Sequence, residues 1–128
     1  MLTAAAAAIA FAICPPPPAR RETCVHDGDT IWIGREKIRL LSIQAPELDA
    51  PDAATRDRAR LARDRLVELL QIGIVRIERD GADCFGRTLA RIETPSGDVA
   101  ERLIAEGLAQ RYRGPVHPCG RSANENRP

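Results

Sequence analysis

The stretch CVHDGDTIWIGREKIRLLSI, residues 24–43, consists of short apolar segments separated by polar triplets. The triplets are Asp27-Gly28-Asp29 and Gly34-Arg35-Glu36, and glycine beside such polar residues is typical of tight turns. The apolar segments have the length and the branched side chains of β-strands. The stretch therefore predicts three consecutive strands, at residues 24–26, 31–33 and 38–43.

The rest of the chain adds two helices and two strands to this beginning. Apolar residues between 59 and 70 recur at helical spacing and predict a helix that ends near Gly73. Residues 74–79 and 88–92 have strand character, and a second helix is predicted within residues 98–107. This order predicts a β-rich α+β fold, namely a five-stranded oligonucleotide-binding (OB) barrel with two main helices.

Length and composition fit one ordinary domain. The chain has 128 residues, 44% of them hydrophobic, and a formal net charge of +1. A charge so close to zero does not indicate a general nucleic-acid or membrane binder, so any recognition of phosphate must depend on local clusters of charge. The cations are almost all arginine, whose planar group can hold phosphate with two parallel hydrogen bonds.

The N-terminal segment differs from the rest of the chain. Residues 1–14 are uncharged and too short to cross a bilayer as a helix, and they resemble the apolar part of a secretory signal. Residues 15–23 contain a run of prolines and predict an extended linker. We therefore expect a folded domain at 24–113, a polar tail at 114–128, and a secreted or periplasmic protein. The alternative is a cytoplasmic protein, if the first segment is not a signal.

The cysteines allow three interpretations. Cys24 opens the predicted domain and Cys119 closes it, so a disulfide between them is expected in an oxidising compartment. A zinc site that adds His26 and His117 to these two cysteines is the second interpretation. Free thiols are the third.

Four polar pieces, residues 27–30, Arg39, residues 45–47 and residues 83–87, lie at predicted strand ends or turns, where functional groups are commonly displayed. Each one alone is compatible with an ordinary structural role, as a turn, a surface strand residue or a helix cap. Together, in order and spacing, V-x-D-G-D-T from 25, R-L-x-x-I-x-A-P-E from 39, D-x-x-G-R-x-L-A from 83 and V-A-E-R-L-I-A-E-G-L-A from 99 resemble the staphylococcal nuclease (thermonuclease-like) family. The resemblance covers residues 25–109. It implies an OB barrel and a calcium-dependent enzyme that hydrolyses phosphodiester bonds of DNA and RNA with low sequence specificity.

The resemblance also implies roles for individual residues. Asp29 is expected to be a direct calcium ligand, and Ala45 to provide a backbone carbonyl ligand. Asp27 is expected to support the metal through water. The expected catalytic residues are Arg39 and Arg87, which would hold the phosphate, and Glu47, which would act as the general base or orient the attacking water.

The chemistry of phosphodiester hydrolysis explains why these residue types are needed. Attack on phosphorus builds negative charge on the phosphate oxygens, and a hard divalent cation with oxygen ligands offsets part of that charge. Guanidinium groups hold the remaining oxygens through charge-assisted hydrogen bonds. A carboxylate beside the attacking water can orient it or accept its proton.

The chain departs from the family pattern at the metal and around the substrate. Gln44 stands where the family has an aspartate ligand, so it would bring a neutral oxygen to calcium and weaken binding. Phe85, Tyr112 and Arg113 are expected to contact the substrate, a single strand of DNA or RNA bound by a monomer. Because of these departures, a non-catalytic module that binds single-stranded nucleic acid or a protein partner remains the alternative function.

Overall fold

The computed structural model describes residues 11–114. The strands are β1 (Cys24–Asp27), β2 (Thr30–Ile33), β3 (Glu36–Leu40), β4 (Ile43–Gln44), β5 (Arg76–Ala82), β6 (Thr88–Thr94), β7 (Gly97–Asp98) and β8 (Gln110–Arg111). The helices are α1 (Ala53–Gln71) and α2 (Val99–Ala105). All five strands and both helices that the sequence predicts are therefore present. Within the described residues, neither helix is long and apolar enough to cross a membrane.

The main sheet is mixed, with the strand order β1-β2-β3-β6-β5. Neighbouring strands pair antiparallel except β3 and β6, which run parallel. The short β7 pairs with β6, while β4 and β8 form a separate two-stranded sheet. Five main strands and two helices in this arrangement confirm the predicted OB-type α+β fold. Among residues 11–114, no backbone pairing joins β5 to β1, so the hydrogen-bonded ladder is open there.

Helix α1 covers the sheet with the face that its apolar spacing predicts. Its buried residues are Ala59, Ala62, Leu66, Leu69 and Leu70, and the three leucines belong to one core cluster with Ile31, Ile38, Ile92 and Leu103. The side chains of Asp52 and Asp98 accept hydrogen bonds from the first turns of α1 and α2, respectively. Capping of this kind satisfies backbone donors that a helix leaves unpaired at its start.

Two strand boundaries differ from the sequence expectation. The predicted strand 38–43 is broken after Leu40, because Ser42 adopts a φ of 71°, in the left-handed region. The chain then forms β4, which pairs with β8 rather than continuing the main sheet. Strand β5 continues past residue 79, where the predicted strand ends, and has a shift of register between Arg79 and Ala82. These irregularities depend on pairing with distant strands, which local sequence does not specify.

The N-terminal described residues pack against the sheet and correct the predicted disulfide. Cys24 is bonded to Cys14 and not to Cys119. The physical reason is that residues 12–14 run beside β1: the Cys14 N–H donates to the Val25 carbonyl at 2.9 Å, and the Val25 N–H donates to the Ala12 carbonyl at 2.8 Å. Cys24 is consequently unavailable as a zinc ligand in this state. His117 and Cys119 lie outside the described residues.

Phe11 connects this segment to the interior. Its side chain is buried in the core, and its carbonyl accepts a hydrogen bond from Gln71 Nε2 at 2.9 Å. Cys84 is also disulfide-bonded, so none of the described cysteines is a free thiol. The boundaries proposed for a leader and a linker stay predictions.

Candidate functional site

A cleft of about 450 Å³, here called the central cleft, brings most of the predicted site residues together. Asp27, Asp29, Gln44 and Glu47 line its carboxylate side. Arg39 and Arg87 line its arginine side, and Tyr112 also borders it. Residues separated by long stretches of sequence therefore converge on one concave surface.

The Asp27–Asp29 turn between β1 and β2 positions the carboxylate side. Asp27 Oδ1 accepts the backbone N–H of Asp29 at 3.1 Å. Asp29 is buried and accepts two hydrogen bonds, from the Thr30 hydroxyl at 3.1 Å and from the Ala45 N–H at 2.9 Å. The bond to Ala45 fixes the turn against the loop that contains Gln44 and Glu47.

Gly28 allows these parts to approach closely. A Cβ atom at Gly28 would lie 2.7 Å from Ala45 Cβ and 2.9 Å from Ala62 Cβ. Contacts that short require a shift of neighbouring atoms. Glycine at position 28 therefore lets the turn fit between α1 and the loop after β4, where a larger residue would force them apart.

Strand β3 positions Arg39, which is 6% exposed. Its Nη1 donates to the Leu40 carbonyl at 2.6 Å, and its Nη2 lies 3.8 Å from Asp29 Oδ2. In the parallel pairing of β3 with β6, Ile38 is opposite Thr88 and Arg39 is opposite Leu89. This register places Arg87, just before β6, beside the same end of β3. The parallel pairing of β3 with β6 thus brings both arginines to one cleft.

Asp83 positions Arg87. The side chain of Asp83 is fully buried, its Oδ2 accepts a hydrogen bond from Arg87 Nε at 2.6 Å, and its Oδ1 accepts the backbone N–H groups of Phe85 and Arg87. Burial raises the pKa of Asp83, but the hydrogen bonds from the Arg87 backbone and guanidinium outweigh it and hold the pKa below its usual value. The ionised carboxylate therefore fixes the loop and its arginine.

Negative charge is concentrated among the carboxylates that line the cleft beside Arg39. Burial, followed by the neighbouring charge of Asp29, raises the pKa of Asp27 to about 7, and Glu47 adds to the effect. Burial also lowers the pKa of His26, and the nearby positive charges of Arg21 and Lys37 lower it further. Without a cation, the acidic groups oppose one another's ionisation. A bound cation would reduce this repulsion between the ionised carboxylates.

The donor atoms of this side fit a hard divalent cation. Carboxylate and amide side chains line this part of the cleft, and calcium takes oxygen ligands of these kinds. Asp29 uses each of its oxygens for one hydrogen bond and keeps further lone pairs. Among residues 11–114, however, no group of three or more His, Cys, Asp or Glu side chains is arranged to hold a metal. Gln44 supplies a neutral oxygen in this set, which limits the total ligand charge.

Three predicted site residues lie outside the lining of the central cleft. Ala45 is buried just behind it and contributes its N–H to Asp29. Phe85 is 67% exposed, and its ring centroid lies 5.4 Å from the guanidinium carbon of Arg87. Arg113 is exposed and does not line the cleft. Asp49, a carboxylate two residues after Glu47, is likewise exposed and absent from the lining.

The structure adds residues that the sequence did not predict to take part in phosphate chemistry. Lys37 and His26 line the central cleft, as does Thr30, and Asp83 supports it from behind. The sequence could have placed Lys37 at the site, because residues two apart on a strand share a face and Arg39 was already a predicted site residue. The role of Asp83 follows from hydrogen bonds within its own loop, which a motif alone does not reveal.

Comparison with known proteins identifies the family. The family described as "Staphylococcal nuclease homologue" matches residues 37–126. Endonuclease YncB of Bacillus subtilis is 32% identical over 91 residues, which are 66% of this chain and 43% of that protein. The thermonuclease of Staphylococcus hyicus is 32% identical over 92 residues, covering 67% of this chain and 54% of the relative.

A protein of Haemophilus influenzae named "uncharacterized endonuclease" is 26% identical over 111 residues, or 83% of this chain and 62% of its own length. The chain therefore spans about half the length of the curated relatives it matches. The family match begins at Lys37, so it includes both arginines and Glu47 but not the Asp27–Asp29 turn that the structure places beside them. Because this match covers well over half of the sequence, the chain belongs to the staphylococcal nuclease family.

Proposed function

We propose that the protein is a calcium-dependent nuclease that hydrolyses phosphodiester bonds of DNA and RNA with low sequence specificity. The single observation that carries the proposal is the meeting of Arg39, Arg87 and Glu47 with the Asp27–Asp29 turn in one cleft. A pair of guanidinium groups beside clustered carboxylates matches the charge distribution of a phosphodiester bound beside a cation. The family membership supports the same chemistry.

Different residues of the chain would bind the phosphate, orient the water and position the arginine. Arg39 and Arg87 bind the non-bridging phosphate oxygens, and their hydrogen bonds strengthen as negative charge develops on those oxygens. Glu47 is exposed to solvent at the mouth of the cleft, where it orients a water molecule and accepts its proton. Asp83 keeps the Arg87 guanidinium in place, so that little ordering is needed when substrate arrives.

Asp29 and the oxygens of Gln44 and Ala45 would hold the cation, with Asp27 supporting it through water. Calcium supplies positive charge that offsets the negative charge of the phosphate. Low sequence specificity follows from the same arrangement, because contacts to phosphate carry no direct information about the base. Two aromatic side chains near the cleft, Phe85 and Tyr112, offer ring faces on which any base of a single strand can stack.

A second candidate function is supported by Gln44. With one fewer anionic ligand than the family pattern, the cleft could bind single-stranded nucleic acid without cleaving it. This candidate predicts salt-sensitive binding and no turnover at any calcium concentration. Measurable calcium-dependent cleavage excludes it.

The test is cleavage of a single-stranded DNA oligonucleotide in calcium and in chelator, with wild-type protein, Glu47→Gln and Asp49→Asn. Asp49 is the matched control, because it is an exposed carboxylate on the same loop that does not line the cleft. We expect calcium-dependent cleavage that Glu47→Gln lowers by about 10²–10⁴-fold and that Asp49→Asn leaves unchanged. Equal rates for all three proteins, with or without calcium, would contradict the proposal.

We also propose that the protein works in an oxidising compartment, as a secreted or periplasmic enzyme. The Cys14–Cys24 disulfide supports this, since structural disulfides persist mainly outside the reducing cytosol. Fractionation of the native host, with thiol counting on the recovered protein, tests it. A cytoplasmic protein with Cys14 and Cys24 reduced would contradict the proposal.

A further inference from the structure

A second cleft of about 350 Å³, here called the side cleft, adjoins the central cleft. Gln44 and Glu47 line both, so the two spaces meet at these side chains. The walls of the side cleft are the loop after β4, the first turns of α1 and residues 107–110. Its volume is within the ~300–1,000 Å³ of typical small-ligand sites. The side cleft can therefore hold part of a ligand that extends from the central cleft past Glu47.

The lining of the side cleft combines a cation with apolar surface. Arg58, on the second turn of α1, contributes a guanidinium, and Pro46, Leu108 and Ala109 contribute apolar atoms. A nucleotide has the complementary composition, because its phosphate is anionic while its sugar and base present largely apolar faces. Arg58 matches the phosphate, and the apolar residues match the sugar or base.

Arg58 is distinct among the arginines of α1. Arg60, Arg63 and Arg65 each form an ion pair with a carboxylate at 2.8–3.0 Å, and Arg56 donates to the carbonyls of Ala50 and Pro51. Within residues 11–114, Arg58 has no carboxylate within 4.0 Å, and its one hydrogen bond is from Nη2 to the Thr55 hydroxyl at 3.0 Å.

Asp52 lies near Arg58, but within residues 11–114 the two side chains form no hydrogen bond or ion pair. Hydrogen bonds from Thr55 lower the pKa of Asp52, and the charge of Arg58 helps to lower it further. Asp52 Oδ2 accepts the backbone N–H of Thr55 at 2.8 Å and the Thr55 hydroxyl at 2.7 Å, as the N-cap of α1. Arg58, which lines the side cleft, therefore keeps guanidinium donors for a phosphate oxygen bound there.

We propose that the side cleft binds the nucleotide that adjoins the cleaved phosphodiester on the Glu47 side, with Arg58 contacting that nucleotide's outer phosphate. This inference rests on the proposed nuclease function and adds a substrate subsite to it. The side cleft gives the enzyme a preference for strands long enough to occupy both clefts. Because Arg58 contacts phosphate, the preference is for length and not for base sequence.

The test compares Arg58→Gln with Arg60→Gln. Arg60 is the matched control, because it is exposed on the same helix, carries the same charge and does not line the side cleft. Each protein is assayed on a single-stranded 12-nucleotide DNA and on a nucleoside 5′-(p-nitrophenyl phosphate), which is too small to fill both clefts. We expect Arg58→Gln to raise KM for the oligonucleotide about three- to tenfold, without changing kcat or the rate on the small diester. Arg60→Gln should match wild type on both substrates.

Binding provides a readout that does not need turnover. In the Glu47→Gln background, fluorescence anisotropy with the same oligonucleotide measures Kd across a salt series. Arg58→Gln should weaken binding and reduce the slope of log Kd against log salt by about 0.7, the value for one phosphate of a single strand. Equal KM, Kd and salt slope for Arg58→Gln and Arg60→Gln would overturn the inference. If wild-type protein cleaves nothing but binding still depends on Arg58, the nuclease proposal fails and the subsite stands.

Discussion

The two sides of the central cleft are organised in different ways. On the arginine side, Arg87 is held by the buried carboxylate of Asp83, and Arg39 is held by the Leu40 carbonyl and faces Asp29. On the carboxylate side, burial and neighbouring negative charge raise the pKa of Asp27 to about 7. The arginines are already hydrogen-bonded within the chain, whereas the carboxylates are close to one another and oppose one another's ionisation.

The difference indicates which ligand each side requires. Arginines already held by bonds within the chain form a rigid surface for phosphate and lose little entropy when it binds. Clustered acids oppose one another's ionisation, and an added positive charge favours their anionic forms. The arginine side should therefore tolerate changes of calcium concentration, and the carboxylate side should depend on it. Four substitutions test this contrast, from the largest expected effect to the smallest.

Replacement of Arg39 by glutamine should have the largest effect. The buried guanidinium opposes the charge of Asp29 and would contact the phosphate, so its loss removes a stabilising donor in the transition state. We expect kcat on single-stranded DNA to fall about 10²–10³-fold. Arg35→Gln is the control, because Arg35 is exposed on the turn before β3 and does not line the cleft. Equal losses in the two variants would show that Arg39 has no specific role.

Asp83→Asn tests whether the Arg87 guanidinium is held in position before substrate binds. Asparagine keeps the shape of the side chain but loses the charge that binds Arg87 Nε, a charge-assisted bond of about 1.5–3 kcal/mol. We expect activity to fall about 10–100-fold while the calcium concentration for half-maximal activity stays unchanged. A calcium titration of activity measures both quantities. A large change in calcium requirement would contradict the division between the two sides.

Gly28→Ala tests the packing of the carboxylate side. The new methyl group would meet Ala45 and Ala62, and overpacking of this kind costs about 1–3 kcal/mol of folding free energy. Urea denaturation should show the loss, and Ala45→Gly in the same chain should recover part of it by removing the closest contact. If the two changes are additive, the close approach at Gly28 is not the cause.

Gln44→Asp should have the smallest effect, and it should be a gain. An added carboxylate beside Asp29 raises the ligand charge, so we expect calcium affinity to increase about tenfold. Isothermal titration with calcium, or the shift of melting temperature in calcium, measures the change. Without calcium the variant should be less stable than wild type, because another negative charge joins the cluster. Unchanged calcium affinity would place Gln44 outside the cation site.

Much of the fold could be predicted because its signals are local. The helical spacing of Ala59, Ala62 and Leu66, and the glycine turns between short apolar segments, each depend on residues close together in sequence. Prediction failed where pairing with a distant strand decides the structure. The break after Leu40 and the β4–β8 pair are examples, as is the Cys14–Cys24 disulfide, which depends on the packing of residues 12–14 against β1.

The candidate site shows the same limit. Asp29, Arg39, Glu47 and Arg87 were selected from short motifs, and the structure places all four in the central cleft. Phe85 was selected in the same way but lies outside the lining. Asp83 and Arg58 received no role, because their importance depends on which groups surround them.

The sequence by itself determined the types of side chain available for phosphate chemistry and the order of strands and helices, since both follow from residue identity and short-range periodicity. The tertiary structure decided which of those side chains meet. The parallel pairing of β3 with β6 brings Arg39 and Arg87 together, and the absence of a Cβ at Gly28 lets the Asp27–Asp29 turn reach the loop of Glu47. Both depend on contacts between distant segments, whose geometry is fixed only when the whole core packs.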